Sequence, residues 1–105
     1  MSSEQRRHLR APFSGWVEIS SRGRRRLGTG RDLSAGGIGL ELRGEPIAPG
    51  GSVTSEFALP GISLPLALEG RVAWSDAGSE RLGIVFDGID PGLAELLESY
   101  AGGRL

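Results

Sequence analysis

The 105-residue chain contains no cysteine, no lysine and a single histidine. Without cysteine there can be no disulfide framework, no thiolate zinc site and no thiol nucleophile. Without lysine there is no GxxxxGK[ST] phosphate loop, and the glycines do not fall into GxGxxG. His8 stands alone in an arginine-rich segment, so it has no second metal ligand near it in sequence. Long hydrophobic runs are also lacking. Nothing approaches the ~18 apolar residues of a membrane span, and the polar N-terminus has no signal-peptide core. Catalytic patterns are equally scarce: Ser34 lies outside GxSxG, with Asp32 where the first glycine would stand, and the acids are scattered. A soluble, cytoplasmic protein that is not an enzyme and carries no metal or cofactor is the expectation.

What is present is glycine, arginine and alternation. Eighteen glycines and six prolines favour many short strands joined by turns, and 38% hydrophobic residues suffice for the core of one domain. Charge is unevenly spread. Residues 1–31 hold eight arginines against Glu4 and Glu18, a net of +6, whereas residues 32–105 hold four against eleven acids, a net of −7. Such a concentration marks an anion-binding face, or else a surface that neutralises the acidic remainder.

Residues 1–12 read as a flexible arm ending at Ala11-Pro12, residues 13–101 as the folded domain and residues 102–105 as a tail. Val17 and Ile19 mark a first strand, and a second runs from Leu27 to Leu33. Ile38, Leu40 and Leu42 mark a third, and Val53, Ser55, Phe57 and Leu59 a fourth. Ile62, Leu64, Leu66, Leu68, Gly70, Val72 and Trp74 share one face of a long fifth run, with Gly70 expected as its bend or bulge. Leu82, Ile84 and Phe86 give a sixth. Six such strands favour a closed antiparallel barrel. Asp90 as N-cap, Pro91 at the first position and the stripe Leu93, Leu96, Leu97, Tyr100 predict a helix that docks on that barrel. Trp16 is expected to pack. Trp74 is read as a core or barrel-mouth aromatic, or as a lip against a bound base.

Two short motifs carry chemistry. Arg6 and Arg10 form RxxxR, with Arg7 between them. Each guanidinium is a planar fork suited to a phosphate or to guanine O6 and N7. Asp32, Ser34 and Gly37 form DxSxxG. A carboxylate at Asp32 can accept from guanine N1–H and N2, Ser34 can donate to a phosphate, and Gly37 admits close approach to its backbone. The same residues also make an ordinary strand-end turn.

The pair of motifs at this separation resembles the nucleotide-binding signature of PilZ domains, the bacterial receptors for cyclic di-GMP. The resemblance extends through Gly50-Gly51, Arg71-Val72-Ala73-Trp74, Arg81-Leu82-Gly83-Ile84-Val85-Phe86 and the leucine-rich helix, from about Gln5 to Tyr100. It implies an all-β fold, a six-stranded antiparallel PilZ-like barrel with a C-terminal helix. It further implies a cyclic di-GMP site of Arg6, Arg10, Asp32, Ser34 and Gly37, and signalling to a downstream protein in motility or biofilm regulation when the arm orders. Gln5, just before RxxxR, leaves open one ligand molecule or an intercalated pair. Only five residues precede Arg6, so no upstream domain is expected to receive the signal. A ligand-independent adaptor that docks to a motility or pilus component is the alternative, although several relatives of that kind lack the arginine or DxSxxG motifs that this chain keeps. Nonspecific DNA or RNA binding ranks last, because no aromatic residues interleave with the arginines.

Overall fold

A computed structural model describes residues 9–103, which form seven strands and one helix. The strands are β1 (Ala11–Pro12), β2 (Trp16–Ser21), β3 (Arg24–Leu33), β4 (Gly37–Glu41), β5 (Ser52–Phe57), β6 (Leu66–Asp76) and β7 (Arg81–Phe86), followed by α1 (Pro91–Ala101). Six of them close in the order β3-β2-β5-β6-β7-β4, with β4 pairing back onto β3, every pairing being antiparallel. Closure removes the open sheet edges that would otherwise recruit other chains. The seventh strand, β1, is an addition to β3, with Ala11 opposite Leu33 and Pro12 opposite Asp32. Backbone pairing thus begins at Ala11, inside the segment expected as arm. Residues 1–8 lie outside the described residues.

Local sequence explains each turn and end. The β2–β3 hairpin turns on Arg22 (φ 52°) and Gly23 (φ 75°), a two-residue loop with both central residues left-handed, as the twist of paired strands prefers. At α1 the Asp90 carboxylate accepts from the Gly92 and Leu93 amides at 3.0 and 3.2 Å, satisfying two otherwise orphaned donors. Inside the barrel lie Val17, Ile19, Leu33, Ile38, Leu40, Val53, Phe57, Leu68, Val72, Leu82, Ile84 and Phe86, the alternating positions of the sequence. Leu97 of the helix stripe is fully buried against them, while Leu93, Leu96 and Tyr100 are partly so.

Several expectations fail. Ile62 and Leu64 do not extend the fifth strand, which begins only at Leu66. Leu64 is 74% exposed, and Pro65, without an N–H, precedes the first ladder residue. Gly70 is no bulge. It is buried opposite Phe86, and a Cβ there would lie 2.3 Å from the Val85 carbonyl oxygen, so glycine serves close strand approach. The irregularity falls instead between Val72 and Trp74, where Ala73 is the extra residue. Trp16, expected to pack, is 68% exposed on the outer face of β2.

An aromatic series ties the arm's root to the helix. Phe13 is buried edge-on against Phe57 (centroids 5.5 Å) and Tyr100 (6.1 Å), and Phe57 stacks on Phe86. Gly30 makes room for it, since a Cβ there would meet the Phe13 ring at 2.4 Å. The Tyr100 hydroxyl donates to the Pro12 carbonyl at 2.6 Å, joining α1 to β1. Tyr100→Phe keeps the ring and deletes this bond. It should cost about 0.5–1.5 kcal/mol in urea unfolding and speed amide exchange of β1 more than of β5. Equal protection of β1 in both proteins would show that the bond does not hold the arm's root.

Candidate functional site

The pleat, broken twice, builds one face of the barrel. In β3, Gly30 pairs with Leu40 but Asp32 pairs with Gly39, so Arg31 is an extra residue. In β6, Ala73 is the extra residue between Val72 and Trp74. Each bulge shifts the alternation by one position. Leu33 therefore goes into the core while Asp32 comes out, and Ser75 takes the inward phase that Trp74 would have held. Asp32, Gly39, Gly83 and Trp74 become direct cross-strand neighbours, a row over β3, β4, β7 and β6.

The two glycines hollow the middle of that row. A Cβ on Gly39 would lie 2.9 Å from the Asp32 carboxylate, and one on Gly83 only 2.2 Å from the Trp74 indole nitrogen. The carboxylate and the indole therefore lie flat over bare backbone. Trp74, 49% exposed, separates two concavities. One, of about 300 Å³, is lined by Arg31, Asp32, Gly39, Trp74 and Arg81. The other, of about 220 Å³, lies beside Arg10, Gly36, Gly37, Trp74 and Val85.

Arg10, just before β1, reaches this face because β1 lies along the end of β3. Its Nη2 is 3.5 Å from Asp32 Oδ1, and its Nη1 donates to Ser34 Oγ at 3.4 Å. Both partners remain half-exposed, so the ion pair is loose and contributes little stability. Asp32 Oδ1 is itself buried from solvent and accepts no hydrogen bond. Its hydrogen-bonding capacity is unfilled while the Arg10 guanidinium covers it, so displacing that side chain exposes an acceptor.

Ser34 and Gly37 have structural duties. Ser34 is 2% exposed, and its hydroxyl accepts from the Gly36 and Gly37 amides at 3.1 and 3.2 Å. Its own amide donates to the Gly37 carbonyl at 2.9 Å, which closes the β3–β4 turn. Gly37 lies so close to β7 that a Cβ would sit 2.2 Å from the Ile84 carbonyl oxygen. Of the expected site residues, the structure brings Arg10, Asp32, Ser34 and Gly37 together. Arg6 lies outside the described residues.

Sequence reasoning missed Gly39, Gly83, Arg31 and Arg81. The available signal was glycine at outward strand positions, where solvent tolerates any side chain and nothing in the core demands a small one. Gly83→Ala should drive the Trp74 ring off its seat. With Trp16→Phe as background, so that one indole remains, its fluorescence should shift to longer wavelength while far-ultraviolet dichroism stays unchanged. An unshifted spectrum would mean that the ring does not rest on Gly83.

One outer face of a small closed barrel thus gathers an arginine, a carboxylate and an aromatic lip. The model of the family described as "PilZ domain" matches residues 4–103, and the chain belongs to that family. Solved structures share its fold at low identity. The inhibitor of motility MotI/DgrA from Bacillus subtilis is 22% identical (TM-score 0.73), with 93% of this chain covering 50% of that one. The PilZ domain of CeSA from a cellulose-synthesizing bacterium is 23% identical (TM-score 0.64), covering 90% of this chain and 95% of that one. The PilZ domain of YcgR from Escherichia coli, solved with c-di-GMP, is 18% identical (TM-score 0.70), covering 95% of this chain and 91% of that one. The chain thus spans half the length of MotI and nearly all of the two excised domains. No curated protein matches it. Among the described residues no helix is long and apolar enough to cross a membrane, and no group of three or more metal-ligating side chains occurs.

Proposed function

We propose that this chain is a cyclic di-GMP receptor that passes the signal to a partner protein, and that it performs no catalysis. The observation that carries this reading is the Asp32 carboxylate, whose Oδ1 is paired with Arg10 only loosely, at 3.5 Å, and accepts no hydrogen bond among the described residues. Guanine presents N1–H and the N2 amine side by side, and two such donors fit one carboxylate. The E. coli YcgR domain, solved with c-di-GMP, supports the choice of ligand.

In this reading Arg10 leaves Asp32 for a phosphate or for guanine O6 and N7, and Arg6 supplies a second fork from the arm. Trp74 offers the π-face on which a base stacks, and Arg31 and Arg81 neutralise phosphate at the far side of the indole. Ser34 and Gly37 act by holding the turn rather than by wide exposure, leaving the ligand only the edge of the Ser34 hydroxyl. Residues 1–10 fold over the site while the barrel stays unchanged, and the newly ordered surface is what the partner reads. A cytoplasmic location follows, because this nucleotide is an internal messenger.

Titration calorimetry on the purified protein tests the reading. Cyclic di-GMP should bind, and cyclic di-AMP, GTP and linear pGpG should bind far more weakly. Loss of a charge-assisted bond costs ~1.5–3 kcal/mol, so Arg10→Ala should weaken binding roughly tenfold to a hundredfold. Asp32→Asn, which puts an amide donor before guanine donors, should fall in the same range, whereas Arg25→Ala should change little. Equal affinity for the guanine and adenine dinucleotides would overturn the ligand assignment. No binding at all would favour the ligand-independent adaptor.

A further inference from the structure

We propose a second binding site at the opposite end of the barrel, between the β2–β3 hairpin and the loop after β4. Its occupant is a short acidic segment of a partner protein that carries one apolar side chain. The site is independent of the nucleotide reading. Arg24 and Asp32 stand eight residues apart on one strand, about 26 Å at strand rise. Both ends can therefore be occupied at once.

Register places the arginines. Ile19 pairs with Arg26 and Ser21 with Arg24, so Arg24 and Arg26 share the inward-facing side with buried Ile19, where the hairpin overhangs the barrel's mouth. Arg26 is committed: it donates to the Glu45 carbonyl at 2.5 Å and to the Arg43 carbonyl at 2.6 Å, tying hairpin to loop. Arg22 and Arg24 have no ion pair or side-chain hydrogen bond among the described residues, and both line a cavity of about 300 Å³. Its other walls are Ile19, Pro46, Ile47 and Ala48, with Glu45 at the edge. Two free guanidinium groups over an aliphatic floor match a carboxylate next to an apolar side chain.

The backbone at Arg22 adds an independent reason. At φ 52° an arginine is in the left-handed region, where glycine or asparagine would sit at lower cost. Strain retained at an exposed turn, where any polar residue would be soluble, points to a use for the side chain. Charge then selects among anions. The hairpin's other flank faces Glu69 and the Asp87 carboxylate that Arg71 holds at 3.2 Å, and residues 32–105 carry a net of −7. A nucleic acid or an anionic membrane extends past the two arginines and meets that negative surface, whereas a short acidic segment ends before it.

The test uses the whole protein and a displayed library of random nine-residue peptides. Enriched sequences should place Asp or Glu next to one apolar residue, and a fluorescein-labelled synthetic copy should bind in anisotropy titrations. Arg22→Asn should lower its affinity roughly fivefold and the double variant with Arg24→Ser at least tenfold, while Arg22→Asn alone raises the melting temperature. Ile47→Ser should weaken it as well, and Arg10→Ala should leave it unchanged. The proposal is overturned if no acidic peptide is enriched or if the double variant binds as well as the parent. It is also overturned if a single-stranded oligonucleotide or phosphatidylserine vesicles engage the same arginines more tightly than the peptide.

Discussion

The phase of the pleat is the constraint on which the rest of the molecule depends. A strand of period two can show a given residue to the core or to the surface, and a regular β3 could not bury Gly30 and Leu33 while exposing Asp32. One extra residue, Arg31, resolves that conflict, and Ala73 resolves the matching one around Trp74. The two irregularities lie on strands separated by β4 and β7 and turn their residues outward onto the same row. Bulges cost ladder bonds, and here they aim an acceptor and an aromatic face at a common space.

Between those residues the glycines act as an excavated floor. In most sheets an outward position is free to carry any polar side chain, and the surface is a carpet of them. Here Gly39 and Gly83 leave bare backbone over which Asp32 and Trp74 lie flat. The DxSxxG segment divides its labour: Asp32 faces out, Ser34 ties the turn, and Gly37 lets β4 come close to β7. A motif read as three ligand contacts is, in this structure, one outward carboxylate and two residues that shape the backbone beneath it.

Much of the architecture was legible in sequence because burial imposes period two. The alternations at Val17–Ile19, Ile38–Leu42, Val53–Leu59 and Leu82–Phe86 mark elements that the barrel contains, and Asp90-Pro91 marks the start of the helix. The failures are equally physical. Alternation continues into Ile62 and Leu64 by composition alone, whereas Pro65, which has no N–H to donate and so belongs at an edge or strand start, marks where the ladder begins at Leu66. A bulge is invisible to periodicity unless glycine announces it, and these fall at Arg31 and Ala73 while Gly70 serves close packing. Trp16 is exposed because no element among the described residues covers the outer face of β2. For the site, Arg10 and Asp32 were recognisable by charge and spacing. Gly39 and Gly83 show in sequence only as glycines at outward strand positions, and what they seat comes from strands distant in the chain.

The hydroxyl of Tyr100 on the carbonyl of Pro12 brings the two ends of the described chain to one place. In a module of this shape, entry and exit are adjacent, so it can be inserted into a loop of another protein without prising that host apart. A segment joined after α1 starts beside β1, where the Pro12 carbonyl holds the Tyr100 hydroxyl. The helix end and the strand that leads from Arg10 into the barrel are thus one joint, and a load put on either is borne by the other.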